Sequence, residues 1–210
     1  MSGSASVPRR RLHAAGFALA ILLAVLGLVV TTGTSLLPPS LVLGPCLQDW
    51  TSANSYGRRA SPLGSVRFSA GALHGELCYG RPSRRGRSVY GGLIPFDVLW
   101  RFGANEPTRL YLDRAAVVAG IPLDAGRYSL YVTPGRERWE LFVSRSVLHW
   151  GNDISAAVRA REVGRASVVP DSLAAPVETL TVSSRAAGDT TWLDFDWERT
   201  RIALSIEPRS

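Results

Sequence analysis

The chain has 210 residues and a formal net charge of +7, and all 24 of its basic residues are arginine. Without lysine there is no Schiff-base nucleophile, no P-loop lysine and no Ser-Lys dyad, so several enzyme classes are excluded outright. A length of this order, with part of it spent outside the folded region, allows one domain with an ordinary core.

Arg9, Arg10 and Arg11 close a basic flank over residues 1–11, and no formally charged residue follows until Asp49. Within that uncharged run, residues 12–32 are long enough as a helix to cross a hydrocarbon core of ~30 Å. They are predicted as one N-terminal transmembrane helix; a cleaved secretory signal is the alternative, although no A-x-A site follows Val30. Pro45 directly before Cys46 argues against a lipoprotein signal. Arginines before the span place the N-terminus inside and the rest outside the cytoplasm, in a periplasmic or extracellular location, or secreted if the segment is cleaved. The membrane is thus one expected partner. Three of the seven net charges belong to the flank, which leaves +4 for the remainder and gives no reason to expect nucleic acid.

Residues 33–60 are rich in proline, glycine and serine without clear periodicity and read as a linker. Residues 61–210 read as the folded domain. Outside the cytoplasm Cys46 and Cys78 are candidates for a disulfide tying linker to domain, with two free thiols as the alternative.

The domain begins with alternating runs. In Leu73–Tyr79, His74, Glu76 and Cys78 share one side of a strand, a potential three-ligand metal face to which His149 adds a fourth donor. An exposed strand face with Cys78 bridged to Cys46 is the preferred reading, so no metal and no cofactor is expected. Residues 79–106, YGRPSRRGRSVYGGLIPFDVLWRFGANE, carry four arginines within seven positions. Guanidinium forks bind planar anions, so Arg81, Arg84, Arg85 and Arg87 suit a phosphate, carboxylate or sulfate, or anionic headgroups. The competing reading makes Arg84 and Arg85 solvated turn residues and pairs Arg81, Arg87 and Arg101 with Glu106, Asp97 or carbonyls. Trp100, Asn105, Glu106 and Trp150 complete an aromatic and polar set suited to an anionic or carbohydrate ligand.

Further strands are predicted at Arg109–Asp113 and Ala115–Ala119. RYSLYV (127–132) and RWELFV (138–143) form a hairpin around a type II turn at Pro134-Gly135. Val158–Val169 and Val177–Ser183 follow, and no amphipathic helix is predicted after the anchor. A closing hairpin is read at Arg199-Thr200. Leu193, Phe195 and Trp197 face inward before it, and Ile202, Leu204 and Ile206 after it. Asp194, Asp196 and Glu198 share the other face. As paired carboxylates they suit glycoside hydrolysis only if a second element faces them, and a solvated face opposite Arg199 and Arg201 is preferred. With two histidines in the exported part and no G-x-S-x-G elbow, serine-histidine catalysis is not expected. The pattern argues for an all-β fold, an antiparallel β-sandwich or squat barrel of about eight to ten short strands.

Ordered motifs then point to a family. YGRP at 79–82, GR at 86–87, GGLIPF at 91–96, WR at 100–101, GANE at 103–106 and AGRYSLYVTPG at 125–135 are followed by WG at 150–151, PVET at 176–179 and the W-E-x-T-R stretch at 197–201. From Ser61 to Glu207 the chain resembles the bacterial domain-of-unknown-function family numbered 2911. The resemblance implies an exported, mostly β protein and supplies no reaction. Arg109 departs from it where a small polar residue is commoner, and His74 and Cys78 match no motif. Arg81, Arg87 and Arg101 do fall on motif positions.

The expected protein is therefore a membrane-anchored extracytoplasmic module that binds rather than catalyses. Its candidate ligand residues are Arg81, Arg87, Trp100, Arg101, Asn105, Glu106 and Trp150. Two rivals are an envelope hydrolase using Glu106 as general acid or base, and a purely structural component.

Overall fold

The computed structural model describes residue 46 and residues 60–147, 149, 151, 152 and 154–209. The predicted spanning segment 12–32 and all of the linker except Cys46 and Ala60 lie outside them. Among the described residues no helix is long and apolar enough to cross a membrane.

Among the described residues, ten strands and one helical turn make up the domain. In chain order they are β1 (Leu63–Ala70), β2 (Leu73–Gly80), β3 (Thr108–Leu112), β4 (Ala116–Val118), β5 (Ile121–Leu123), β6 (Gly126–Thr133), β7 (Trp139–Ser144), α1 (Ala156–Arg159), β8 (Glu162–Val168), β9 (Asp171–Ala187) and β10 (Thr190–Pro208). They form two antiparallel sheets, ordered β1-β2-β3-β6-β7-β8 and β5-β4-β10-β9. This is a sandwich rather than a barrel: β1 approaches β9 and β5 approaches β8 without hydrogen-bonded closure.

Period-2 alternation explains the inner faces. Leu77, Leu110, Leu130, Leu141 and Val143 from the larger sheet meet Leu180, Leu193, Phe195, Trp197, Ile202 and Leu204 from the smaller one in a single core. The outer face of the larger sheet is covered as well. Tyr131 and Phe142 stack there with ring centroids 5.3 Å apart, and Val158 of α1 packs on them. Both faces of β3 are therefore buried throughout.

Four expectations change. The closing hairpin at Arg199-Thr200 does not form, because β10 is continuous and pairs with β9 through a turn at residues 188–189. The inward positions switch from odd (193, 195, 197) to even (202, 204, 206), and register irregularities between Asp196, Glu198 and Thr200 absorb that switch. Glu198 sits there at φ 55, the local backbone of a bulge. The strand expected over 158–169 is instead one turn of helix followed by β8. The β6–β7 hairpin forms, but Gly135 is not at positive φ, so the turn is not type II; a Cβ there would overlap the Arg138 carbonyl. Finally, Asp194 is not solvated: it is 3 % exposed and paired with Arg185 at 3.3 Å.

Candidate functional site

β2 runs into the arginine-rich turn at Gly80, whose backbone lies so close to the following loop that a Cβ would overlap the Ala104 carbonyl oxygen. Two segments distant in sequence thereby meet edge to edge. Beyond Gly80 the chain docks on β9: Ser83 bridges Thr179, Arg84 N donates to the Glu178 carbonyl at 2.9 Å, and Leu180 N donates to the Pro82 carbonyl. The Glu178 carboxylate then accepts from the Arg85 amide at 2.8 Å and lies 3.9 Å from Arg84 Nε. Arg87 folds back on its own turn, Nε to the Arg84 carbonyl at 2.9 Å and Nη2 to the Ser83 carbonyl at 3.2 Å. Those two bonds use the side-on fork of its guanidinium and fix its position.

The second wall is the loop 100–107. Trp100 exchanges backbone hydrogen bonds with Val132, and its indole N–H donates to the Gly103 carbonyl at 3.0 Å. Its ring stacks on Trp197 at 5.9 Å, so this residue is part of the core and forms the floor of whatever lies above. Phe102 and Asn105 hold positive φ, 57° and 64°. Thr108 Oγ1 anchors the bend by donating to the Phe102 carbonyl, and Asn105 Nδ2 donates to the Ser61 carbonyl at 3.3 Å. A third segment closes the end: Asn152 Oδ1 accepts from the Arg101 amide, and Gly151 N donates to the Asn105 carbonyl.

Between these walls lies a cleft of about 320 Å³. Its floor is Trp100 and Trp197, Leu93 and Ile94 supply an apolar rim, and Arg85, Arg87, Arg101, Asn105 and Asn152 supply the polar wall. Among the described residues, no acidic one is part of the lining. Arg101 Nε is buried and has no hydrogen-bond partner among the described residues. Burial pushes the Arg101 pKa down, and the charge of Glu106 partly offsets that. Glu106 itself is 3 % exposed and lies outside the cleft wall, as the counter-ion of Arg101.

Of the sequence candidates, Arg87, Trp100, Arg101 and Asn105 thus line one cleft. Arg81 does not: its guanidinium spans to Leu180 O and Thr181 Oγ1, each at 3.4 Å, and ties β2 to β9. Trp150 lies outside the described residues. Arg85, read from sequence as turn decoration, is in the wall, and Asn152 was not singled out at all. An Asn one residue past the WG motif was the available signal.

A family model described as "Protein of unknown function (DUF2911)" matches residues 61–206. The chain belongs to that family. No curated protein and no solved structure gave a significant match.

Elsewhere in this DUF2911 domain the remaining candidates resolve into structural roles. Cys46 and Cys78 form a disulfide with Cα atoms 5.6 Å apart, which withdraws both sulfurs from metal binding although the Glu76 carboxylate adjoins them. Glu76 is bound by Arg67 at 3.4 Å, and exposed His74 pairs with Asp113 at 3.4 Å. On β10, Asp196 forms a two-bond pair with Arg201 at 2.7 and 2.6 Å, and Glu198 accepts from the Val89 amide. These carboxylates are committed to arginine and backbone partners. Arg109, the departure from the family pattern, is 3 % exposed, donates through Nε to the Val147 carbonyl at 2.8 Å, and is held by burial down to a pKa of about 10. A wider depression of about 530 Å³ over Asp97, Arg138, Trp139, Glu140 and Arg165 carries two acids and two arginines, so its charges are balanced.

Proposed function

We propose that this chain is a membrane-anchored, extracytoplasmic binding module whose β-sandwich takes a small anionic ligand in the cleft between the 81–94 and 100–105 loops. The observation that carries this reading is the charge of the wall: among the described residues, three arginines and no carboxylate line a concave site. Guanidinium groups donate charge-assisted hydrogen bonds to anionic oxygens, and these are about twice as strong as neutral ones. The anchor and the location rest on Arg9–Arg11 and the apolar run over residues 12–32. Glu106 serves better as a counter-ion than as a general acid, since it is buried beside an arginine and absent from the wall.

The test is calorimetric titration of the full-length chain in mild detergent with sulfate, phosphate and glucuronate, beside Arg85→Gln and Arg101→Gln. Saturable binding by at least one anion, weakened about tenfold or more in each variant, is expected. No binding by any of the three, or variants that bind like the native chain, would overturn the reading.

A further inference from the structure

The cleft has a charge count and a donor geometry that narrow the ligand further. Pairing Arg84 with Glu178 and Arg101 with Glu106 leaves Arg85 and Arg87 uncompensated among the described residues in or beside the wall. Two unmatched positive charges call for a dianion. The donors also sit on different walls. Arg87 has spent its side-on fork on carbonyls and keeps Nη1 uncommitted among the described residues, the half-buried Arg101 belongs to the facing wall, and the Arg85 side chain holds one long 3.5 Å bond to the Ala60 carbonyl. Separate donors on different sides of a cleft suit the three terminal oxygens of a phosphoryl group. A carboxylate, with two coplanar oxygens and one charge, is better served by a single bidentate arginine.

Size supplies the remaining constraint. About 320 Å³ is near the lower end of small-ligand pockets and roughly ten times the ~30 Å³ that a water molecule occupies in the liquid. Inorganic phosphate leaves most of that space empty. The amides of Asn105 and Asn152 and the Leu93–Ile94 rim offer hydrogen-bonding groups and apolar cover to a small hydroxylated body.

Resting on the anion-binding reading above, we infer that the ligand is a phosphate monoester of about monosaccharide size, with its phosphoryl group among Arg85, Arg87 and Arg101. Because a phosphate monoester gains its second charge with a pKa near 6, its binding carries a pH signature that carboxylates and sulfates lack. Arginine stays protonated across that range, and neither histidine nor a carboxylate is among the described lining residues, so the ligand is the titrating partner.

The experiment titrates the full-length chain in detergent with glucose 6-phosphate, glucose, glucuronate, inorganic phosphate and glycerol 3-phosphate. Glucose 6-phosphate is expected to bind about tenfold or more tightly than glucuronate and inorganic phosphate, and glucose not to bind. Its affinity falls by about tenfold between about pH 7.5 and about pH 5 as the second charge is lost. Arg85→Gln weakens it about tenfold with unchanged circular dichroism, and Arg101→Gln weakens it from the facing wall. Glucuronate binding as tightly, without a pH effect, overturns the phosphoryl assignment and leaves the anion reading standing. Inorganic phosphate matching the sugar phosphate overturns the assigned body. Preference for glycerol 3-phosphate, the headgroup of a phosphomonoester lipid, overturns the sugar-sized body in favour of a membrane source. No binding by any anion overturns both readings.

Discussion

Replacing Glu106 with Gln separates a counter-ion from a catalytic or merely packed residue, because the structure gives stability and binding opposite signs. The substitution keeps the side-chain volume and hydrogen-bonding capacity and removes one charge. Arg101 is half-buried, already lacks an acceptor for Nε, and is stabilised as a cation by Glu106. At an effective dielectric near 20, unit charges about 4–8 Å apart attract by about 2–4 kcal/mol. Partial solvent screening at Arg101 reduces the expected loss to about 1–3 kcal/mol. With a urea slope of about 2 kcal/mol per molar, the unfolding midpoint falls by roughly 0.5–1.5 M. The same loss of negative charge behind the wall raises the net charge facing the ligand, so anion affinity rises by a few-fold to about tenfold. Urea denaturation followed by tryptophan fluorescence and calorimetry on the same preparation measure both. An unchanged midpoint, or stability and affinity falling together, refutes the counter-ion argument.

Gly80→Ala drives a methyl group into the Ala104 carbonyl, a backbone atom that cannot rotate away. A loss of about 1–3 kcal/mol or more in urea denaturation is expected, with anion binding weakened as the two cleft walls separate. Reducing the Cys46–Cys78 bridge releases a loop of sequence separation 32, which the chain-entropy relation sets at about 3.5–4 kcal/mol; denaturation with and without a phosphine reductant tests this. Alkaline stability follows from five tyrosines, 79, 90, 111, 128 and 131, whose pKa values burial raises. Their folded values exceed the unfolded value of about 10, so their contribution is complete below that pH and is lost as pH rises above it. Arg109, depressed to about 10, and Arg101, also lowered by burial, act in the opposite direction but are two groups against five. The urea midpoint should therefore fall from about pH 10 upward, with phenolate absorbance of those tyrosines appearing only on unfolding.

What could be read in advance follows from how each feature is written into the chain. A half-buried strand imposes period 2 on its own residues, so β2, β6, β7 and the face Leu193, Phe195, Trp197 were legible locally. A bulge and a turn both interrupt that period by an odd number of residues, and nothing in Glu198-Arg199-Thr200 distinguishes them; the partner strand β9 decides. A single helical turn burying only Val158 has no periodicity to detect. The cleft divides the same way. Its glycines and arginines stand out as a dense cluster, whereas the partner that each guanidinium takes depends on the fold. Arg81 is drawn to Thr181, 100 residues away, while Arg87 turns back on the Ser83 and Arg84 carbonyls of its own turn.

The Cys46–Cys78 bridge has a mechanical consequence. In the chain β1 lies between the two cysteines, at the edge of the larger sheet, while Cys78 lies on β2, its inner neighbour. Tension applied upstream of Cys46 therefore passes through the sulfur atoms directly into β2 and leaves residues 47–77 slack. The edge strand, otherwise the first element to be peeled away one hydrogen bond at a time, is shielded from the pull. With the bridge reduced, the same force would unzip β1 from its free edge, so the disulfide converts a peeling geometry into one in which a strand hydrogen-bonded on both sides resists the load.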